Sequence, residues 1–259
     1  VAGSDSGGGA GIQADLKTFH AFGVYGMSVL TAITAQNTLG VQGVELLTPA
    51  FVAAQFDSVV SDIGADAVKT GMLATPEIVA VVAERIAAWK LTNLVVDPVM
   101  IAKSGDALLS EAAVAAVRER LLPLALVVTP NLPEAEALVG GTITTQGDMR
   151  EAARLLHALG PRWVVMKGGH LGGDTVPDLL YNGREFWLRE SPRLQTPHTH
   201  GTGCTFSAAM TACIARGRTV PEAFAAAKDY TYRAIAAAPG FGGGHGPLNH
   251  LVSANSESD

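Results

Sequence analysis

Two glycines and a thiol stand together where an alanine-rich apolar helix should begin. The run Thr196-Pro197-His198-Thr199-His200-Gly201-Thr202-Gly203-Cys204-Thr205 leads directly into Phe206–Ala215. The first amides of a helix lack intrahelical acceptors and sit at the positive end of its dipole, so they favour anions. Gly201 and Gly203 let the main chain approach a phosphate closely, with Thr202 between them and Cys204 alongside. Phosphoryl transfer suits this arrangement better than any other single chemistry. At a helix N-terminus the Cys204 thiol is expected to ionise more readily than a free cysteine. The competing reading is a small buried hydrophobe, and position alone does not choose. Cys213, between Ala212 and Ile214, reads as core.

Other candidates cluster at the expected ends of strands: Lys69-Thr70-Gly71, Asp97-Pro98, Thr129-Pro130-Asn131 and Lys167-Gly168-Gly169-His170. In open α/β sheets, ligands bind beyond the carboxyl ends of the strands. Asn131-Leu132-Pro133-Glu134 sets a carboxylate three residues after an amide; Mg²⁺ carried on ATP needs few protein ligands, and Glu134 acting through water would suffice. The plainer reading of Glu134 is a first-turn acid favoured by the helix dipole. Gln36, in Thr34-Ala35-Gln36-Asn37-Thr38, offers a donor and an acceptor to an aromatic ring nitrogen and its amino group. On its own it is equally a solvated strand end, as Asp15 is equally a surface acid.

The loop Gly3-Ser4-Asp5-Ser6-Gly7-Gly8-Gly9-Ala10-Gly11 invites a nucleotide-binding reading, and Gly9-x-Gly11-x-x-Ala14 fits the degenerate dinucleotide pattern. No acid occurs between Asp15 and Glu45, however, and Gly-Lys is absent from the chain. That argues against a Rossmann site and excludes a P-loop. A flexible glycine loop closing over a small substrate is the expectation. His198 and His200 lack partners at metal-ligand spacing and read as loop residues beside a phosphate.

The elements that must position these groups alternate. Strands are expected over Met27–Ala35, Val41–Leu46, Ala67–Lys69, Leu94–Val96, Leu126–Val128 and Trp163–Met166, with a hairpin over Leu179–Leu188 turning at Asn182-Gly183. Helices are expected over Ile12–Phe22, Pro49–Ser61, Pro76–Trp89, Glu111–Leu121, Pro133–Val139, Asp148–Leu159, Cys204–Ala215 and Pro221–Ala237. This alternation predicts an α/β fold: a mostly parallel central sheet with helices on both faces, plus a small β-hairpin. No repeat or linker divides it, so residues 1–259 read as one domain with a loose tail over 253–259. Val1 opens on the end of a strand, which implies upstream residues.

Hydrophobic content of 48% with 16% charged residues marks a globular chain. A net charge of −6 without basic runs argues against a nucleic-acid partner. Thr18–Val44 carries no Asp, Glu, Lys or Arg but is broken by Gly23, Gly26, Gln36, Asn37 and Gly40, so no membrane span is expected. Two cysteines about 13 Å apart along one helix could not bridge, and a reduced, cytoplasmic protein is expected.

Taken together, these segments resemble the hydroxymethylpyrimidine/phosphomethylpyrimidine kinases of thiamine biosynthesis, within the ribokinase-like superfamily. The likeness runs through Ala2–Asp15, Thr31–Thr38, Lys69–Leu73, Asp97–Met100, Thr129–Ala135, Lys167–His170, Gly201–Thr205 and Gly244–Pro247. It implies a ribokinase-like fold and transfer of the ATP γ-phosphoryl group to an aminopyrimidine alcohol, then to its monophosphate. Carried over, Asp15, Gln36, Met72, Val99 and Gly11 would hold the pyrimidine. Lys167, Asn131, Glu134 and Thr196 would serve ATP, Glu134 and Asp97 would meet Mg²⁺ through water, and Gly201–Cys204 would form the catalytic turn with Cys204 as base. Lys103-Ser104-Gly105 would belong to a closing loop. The resemblance also implies a homodimer and leaves a monovalent cation open. Pyridoxal or pyridoxine kinase is the alternative within the same superfamily.

Overall fold

Buried strands and amphipathic helices alternate along the chain, as the β-branched runs and alanine-rich stretches require. A computed structural model describes residues 1–100 and 110–254. The expected Lys103–Gly105 loop and residues 255–259 of the expected tail lie outside the described residues.

Strands β1 (Ala2–Asp5), β2 (Leu30–Asn37) and β3 (Gly40–Leu46) form one sheet. The other contains β4 (Val68–Thr70), β5 (Leu94–Val96), β6 (Val127–Val128), β7 (Trp163–Lys167), β8 (Thr175–Tyr181) and β9 (Phe186–Pro192) in sequential order. Hydrogen bonds of Val1 with the Lys69 carbonyl (2.7 Å) and the Gly71 amide (2.9 Å) join the two. β1 and β2 run parallel, as do β4 to β7, while β3, β8 and β9 are antiparallel additions.

Alternate residues of the central strands divide between two cores. Val68, Leu94, Val96, Val128, Val164 and Met166 pack with α2 (Pro49–Asp62), α3 (Pro76–Ala88), α5 (Leu132–Val139) and α6 (Gln146–Ala158). Val95, Val127, Val165 and Leu180 pack on the other face with α7 (Thr202–Ala215), α8 (Val220–Ala236) and Phe22 at the end of α1 (Gly11–Ala21). A sheet covered on both faces needs apolar residues at every position, hence the unbroken Val-rich strands. Thr205–Ile214 of α7 are all buried, as befits a helix that is apolar all round. Among the described residues, no helix is long and apolar enough to cross a membrane.

Three expected elements differ. The helix expected over Glu111–Leu121 is regular only as α4 (Glu111–Ala116); it widens over Val117–Leu121 and tightens over Leu122–Leu124. Pro123 has no N–H to donate back into the ladder. The hairpin strands are longer than expected, and four residues rather than two connect them, because the Asn182 side chain accepts from the Arg184 and Glu185 amides (2.9 and 2.7 Å). β2 begins later than expected and carries an irregularity between Ala35 and Gln36. Such bulges re-aim side chains, here at Gln36.

Candidate active site

The cap of α7 is built around Gly201, whose φ of +85° is left-handed. A Cβ there would run into the Gly9 carbonyl oxygen, so glycine is demanded twice over. The Thr202 amide donates to Thr199 O (3.3 Å) and the Thr205 amide to Gly201 O (2.9 Å). Among the described residues, the Gly203 and Cys204 amides have no acceptor. These are the unpaired N–H groups of a helix start.

Beside them lies a cluster of charge. Lys167, last in β7, reaches Asp97 Oδ1 at 2.9 Å and Glu134 Oε2 at 3.9 Å. A Cβ on Gly203 would come 3.2 Å from the Lys167 ammonium, so the cap and the lysine face one another. Asp97 also accepts from Thr129 Oγ1 (3.2 Å) and lies 3.0 Å from Ser207 Oγ of α7. Burial works against its charge, but Lys167 and Lys69 outweigh that and hold the Asp97 carboxyl below its ordinary range. Glu134 is fixed by a capping box in which it accepts from the Asn131 amide (2.8 Å) and donates its own amide to Asn131 Oδ1 (2.9 Å). Burial pushes its carboxyl up to about 7, against the pull of Lys167 and helped by the Asp97 charge. These hard oxygens with incompletely balanced negative charge fit Mg²⁺ brought in on ATP. Among the described residues, no group of three or more His, Cys, Asp or Glu could hold a metal alone.

The glycine loop between β1 and α1 is organised from within. Asp5 accepts from the amides of Gly7 (2.8 Å), Gly9 (3.0 Å) and Ala10 (2.8 Å), and from His200 Nε2–H at 2.8 Å. Its own amide donates to Gln13 Oε1 (2.8 Å) on α1. Burial raises the Asp5 carboxyl; the bonds from His200, Ala10 and Gly7 outweigh this and leave it below the ordinary value. A carboxylate therefore sits where a nucleotide phosphate would sit in a phosphate-binding loop.

One cleft of about 650 Å³ gathers Gly11, Gln36, Met72, Asp97, Val99, Asn131, Glu134, Lys167 and the Gly201–Cys204 turn. Two expected site residues are not on its wall. Asp15 is buried and bound to Lys69 at 2.6 Å, a pair that keeps the ammonium charged despite burial. Thr196 accepts the His198 amide (3.2 Å) away from the lining. His200 lines the cleft, whereas His198 packs behind it against Gly246. The expected low-pKa thiol is also overturned. Burial pushes Cys204 up to about 11; Lys69 and the Gly11 amide oppose this, while Asp15 and Asp97 add to it. The dipole at a helix start is weaker than desolvation here.

Asp5, Ser207, Arg193 and the pair Asp178–Lys228 escaped the sequence reading. Asp178 accepts the Gly168 amide (2.8 Å) and Lys228 (2.8 Å), bracing the turn after Lys167. Arg193 donates to carbonyls of Gly169 and Gly173 at 3.0 and 2.8 Å, clipping the same loop. Only Asp5 carried a local signal, since an Asp just before glycines commonly accepts from the amides that follow.

A sheet of this topology, with an open helix cap facing a lysine–carboxylate cluster at the strand ends, defines a small-molecule kinase of the ribokinase-like fold. The chain belongs to the phosphomethylpyrimidine kinase family, whose model matches residues 5–249. It is 56% identical to a hydroxymethylpyrimidine/phosphomethylpyrimidine kinase of Streptomyces coelicolor, over 96% of this chain and 92% of that protein. It is 54% identical to a thiamine biosynthesis bifunctional protein of Geobacter sulfurreducens, over 100% of this chain but only 53% of that longer relative. A Bacillus subtilis pyridoxal kinase solved with ADP superposes at a TM-score of 0.89, with 44% identity and coverage of 96% and 95% of the two chains.

Proposed function

We propose that this cleft transfers the γ-phosphoryl group of ATP to the hydroxymethyl group of 4-amino-5-hydroxymethyl-2-methylpyrimidine, and then phosphorylates the monophosphate to the diphosphate. The observation that carries this reading is the pair of open amides on Gly203 and Cys204, facing Lys167 across the same cleft that Gln36 lines. Gln36 holds the aminopyrimidine edge, with Met72, Val99 and Gly11 forming the rest of that wall. Its Oε1 accepts from Thr34 Oγ1 at 3.1 Å and keeps a second lone pair, while its Nε2 lies 3.5 Å from His200 Nε2.

Lys167 and Asn131 serve the ATP phosphates. Mg²⁺ arriving with ATP would neutralise phosphate charge, its water shell held by Glu134 and Asp97. The substrate oxygen forms its bond to the γ-phosphorus as the bridge to the β-phosphate breaks. The transition state is loose, so alignment and charge stabilisation dominate, and the α7 amides receive the charge on the transferred group. The hydroxyl proton leaves late and goes to the Cys204 sulfur as thiolate. We further place the protein in the cytoplasm, as a homodimer.

The test is a panel of the pyrimidine alcohol, its monophosphate and pyridoxal with ATP and Mg²⁺, resolving each product. Both pyrimidines should be phosphorylated with higher kcat/KM than pyridoxal. A preference for pyridoxal overturns the substrate assignment, and no ATP-dependent product at all overturns catalysis.

A further inference from the structure

Asp5 and His200 lie 195 positions apart and meet at 2.8 Å, both nearly buried. The Asp5 oxygen that accepts the ring N–H also accepts the Gly9 and Ala10 amides, so one atom ties the histidine to the glycine loop. His200 immediately precedes Gly201, and its own amide donates to Gly246 O (3.1 Å). The junction is packed without slack. A Cβ on Gly9 would overlap the His200 ring, and one on Gly201 would overlap the Gly9 carbonyl. Gln36 Nε2 lies 3.5 Å from the same ring nitrogen. The pair thus stands between the wall assigned to the alcohol and the cap assigned to the phosphoryl group.

We propose that Asp5 and His200 are positioning residues that set the separation of those two walls. This rests on the reading of the cleft given above. Where alignment supplies most of the rate, a displacement of about 1 Å costs on the order of 10²-fold. A wall that drifts also lets water take the place of the hydroxyl. The γ-phosphoryl group then passes to water, giving ADP and inorganic phosphate in place of phosphorylated alcohol.

The experiment compares His200→Leu with His200→Gln in the full chain. A glutamine amide can reach Asp5 and donate as Nε2–H does; leucine cannot. For His200→Leu, kcat should fall about 10²-fold while KM for ATP and alcohol stays within about threefold. Phosphate released per phosphorylated alcohol should rise, and His200→Gln should restore most of both losses. Parental kcat and coupling in the leucine variant overturn the proposal. So does an equal fall in both variants with equal loss of thermal stability, which marks a packing role. The parent is assayed first on the pyrimidine alcohol and on pyridoxal. Activity on pyridoxal alone overturns the substrate reading and leaves the pair to be judged on that alcohol; activity on neither overturns both.

Discussion

Two glycine-rich turns pack against each other at the edge of the cleft, and their chemistry is opposite. In the loop after β1, the Gly7, Gly9 and Ala10 amides are already bound to the Asp5 carboxylate. At the start of α7, the Gly203 and Cys204 amides have no acceptor among the described residues. The first turn is internally neutralised and acts as a wall; the second keeps its donors for an incoming anion. Glycine content therefore does not mark a phosphate site. What marks it is whether the amides that glycine exposes have been claimed.

The sharpest way to break this comparison is to add one methyl group on each side. Gly201 and Gly8 both have positive φ, +85° and +75°. At Gly201 the added carbon meets the Gly9 backbone, whereas at Gly8 it meets only the end of the flexible Lys17 side chain at 3.1 Å. Gly201→Ala should lower kcat by at least about 10³-fold, as expected when oxyanion donors are displaced. Gly8→Ala should cost about 1–2 kcal/mol of stability for left-handed backbone, read by denaturant unfolding, and leave kcat nearly unchanged. The reverse ranking in steady-state assays would mean that the glycine loop, not the α7 cap, receives the phosphoryl group.

A smaller effect is expected at the sulfur beside the open amides. Cys204→Ala should lower turnover by about 10²–10⁴, the range for a positioned base. Because burial pushes this thiol up to about 11, the thiolate is scarce at neutral pH and grows tenfold per unit below that value. kcat/KM should therefore climb with pH between 7 and 9, and this climb should vanish in the alanine variant. A flat parental profile would remove the thiolate from the mechanism and leave the α7 amides as the main contribution of this turn.

The same contrast explains what could be read from the chain alone. The α7 cap was legible because glycine, thiol and apolar helix are adjacent in sequence, and the strand-end cluster followed from the α/β alternation. The role of Asp5 was hidden because its partner His200 is brought to it only by the fold. Asp15 looked like a surface acid or a pyrimidine ligand; nothing near it in sequence announces Lys69, which holds it beneath the wall. The raised pKa of the thiol is hidden for the same reason. A helix N-terminus is visible in sequence, but the desolvation of its thiol and the carboxylates the fold brings beside it are not. Pairings between neighbours were recoverable, whereas pairings and burial set by long-range packing were not.

The two turns are also anchored by different titrating groups, so acid should separate them. The α7 cap is tied from behind: Thr205 Oγ1 donates to His250 Nε2 at 2.9 Å, and the Tyr230 hydroxyl donates to His250 O at 3.1 Å. Burial, aided by the Lys17 charge, lowers His250 from 6.5 to about 4. The unfolded chain then takes up a proton below 6.5 that the folded chain refuses until about 4. This stability is whole above 6.5 and falls with pH between those values, by up to about 3 kcal/mol. Asp5 carries the same sign in a more acidic window: its folded pKa lies below the ordinary 3.8, so its contribution persists until pH drops beneath that value. Denaturant midpoints at pH 7 and 4.5 should show a steeper acid loss in the parent than in His250→Asn, which keeps a hydrogen-bonding side chain but does not titrate. Equal losses in the two proteins would show that His250 takes up its proton in the fold as readily as in the unfolded chain, so that it does not anchor the α7 cap against acid.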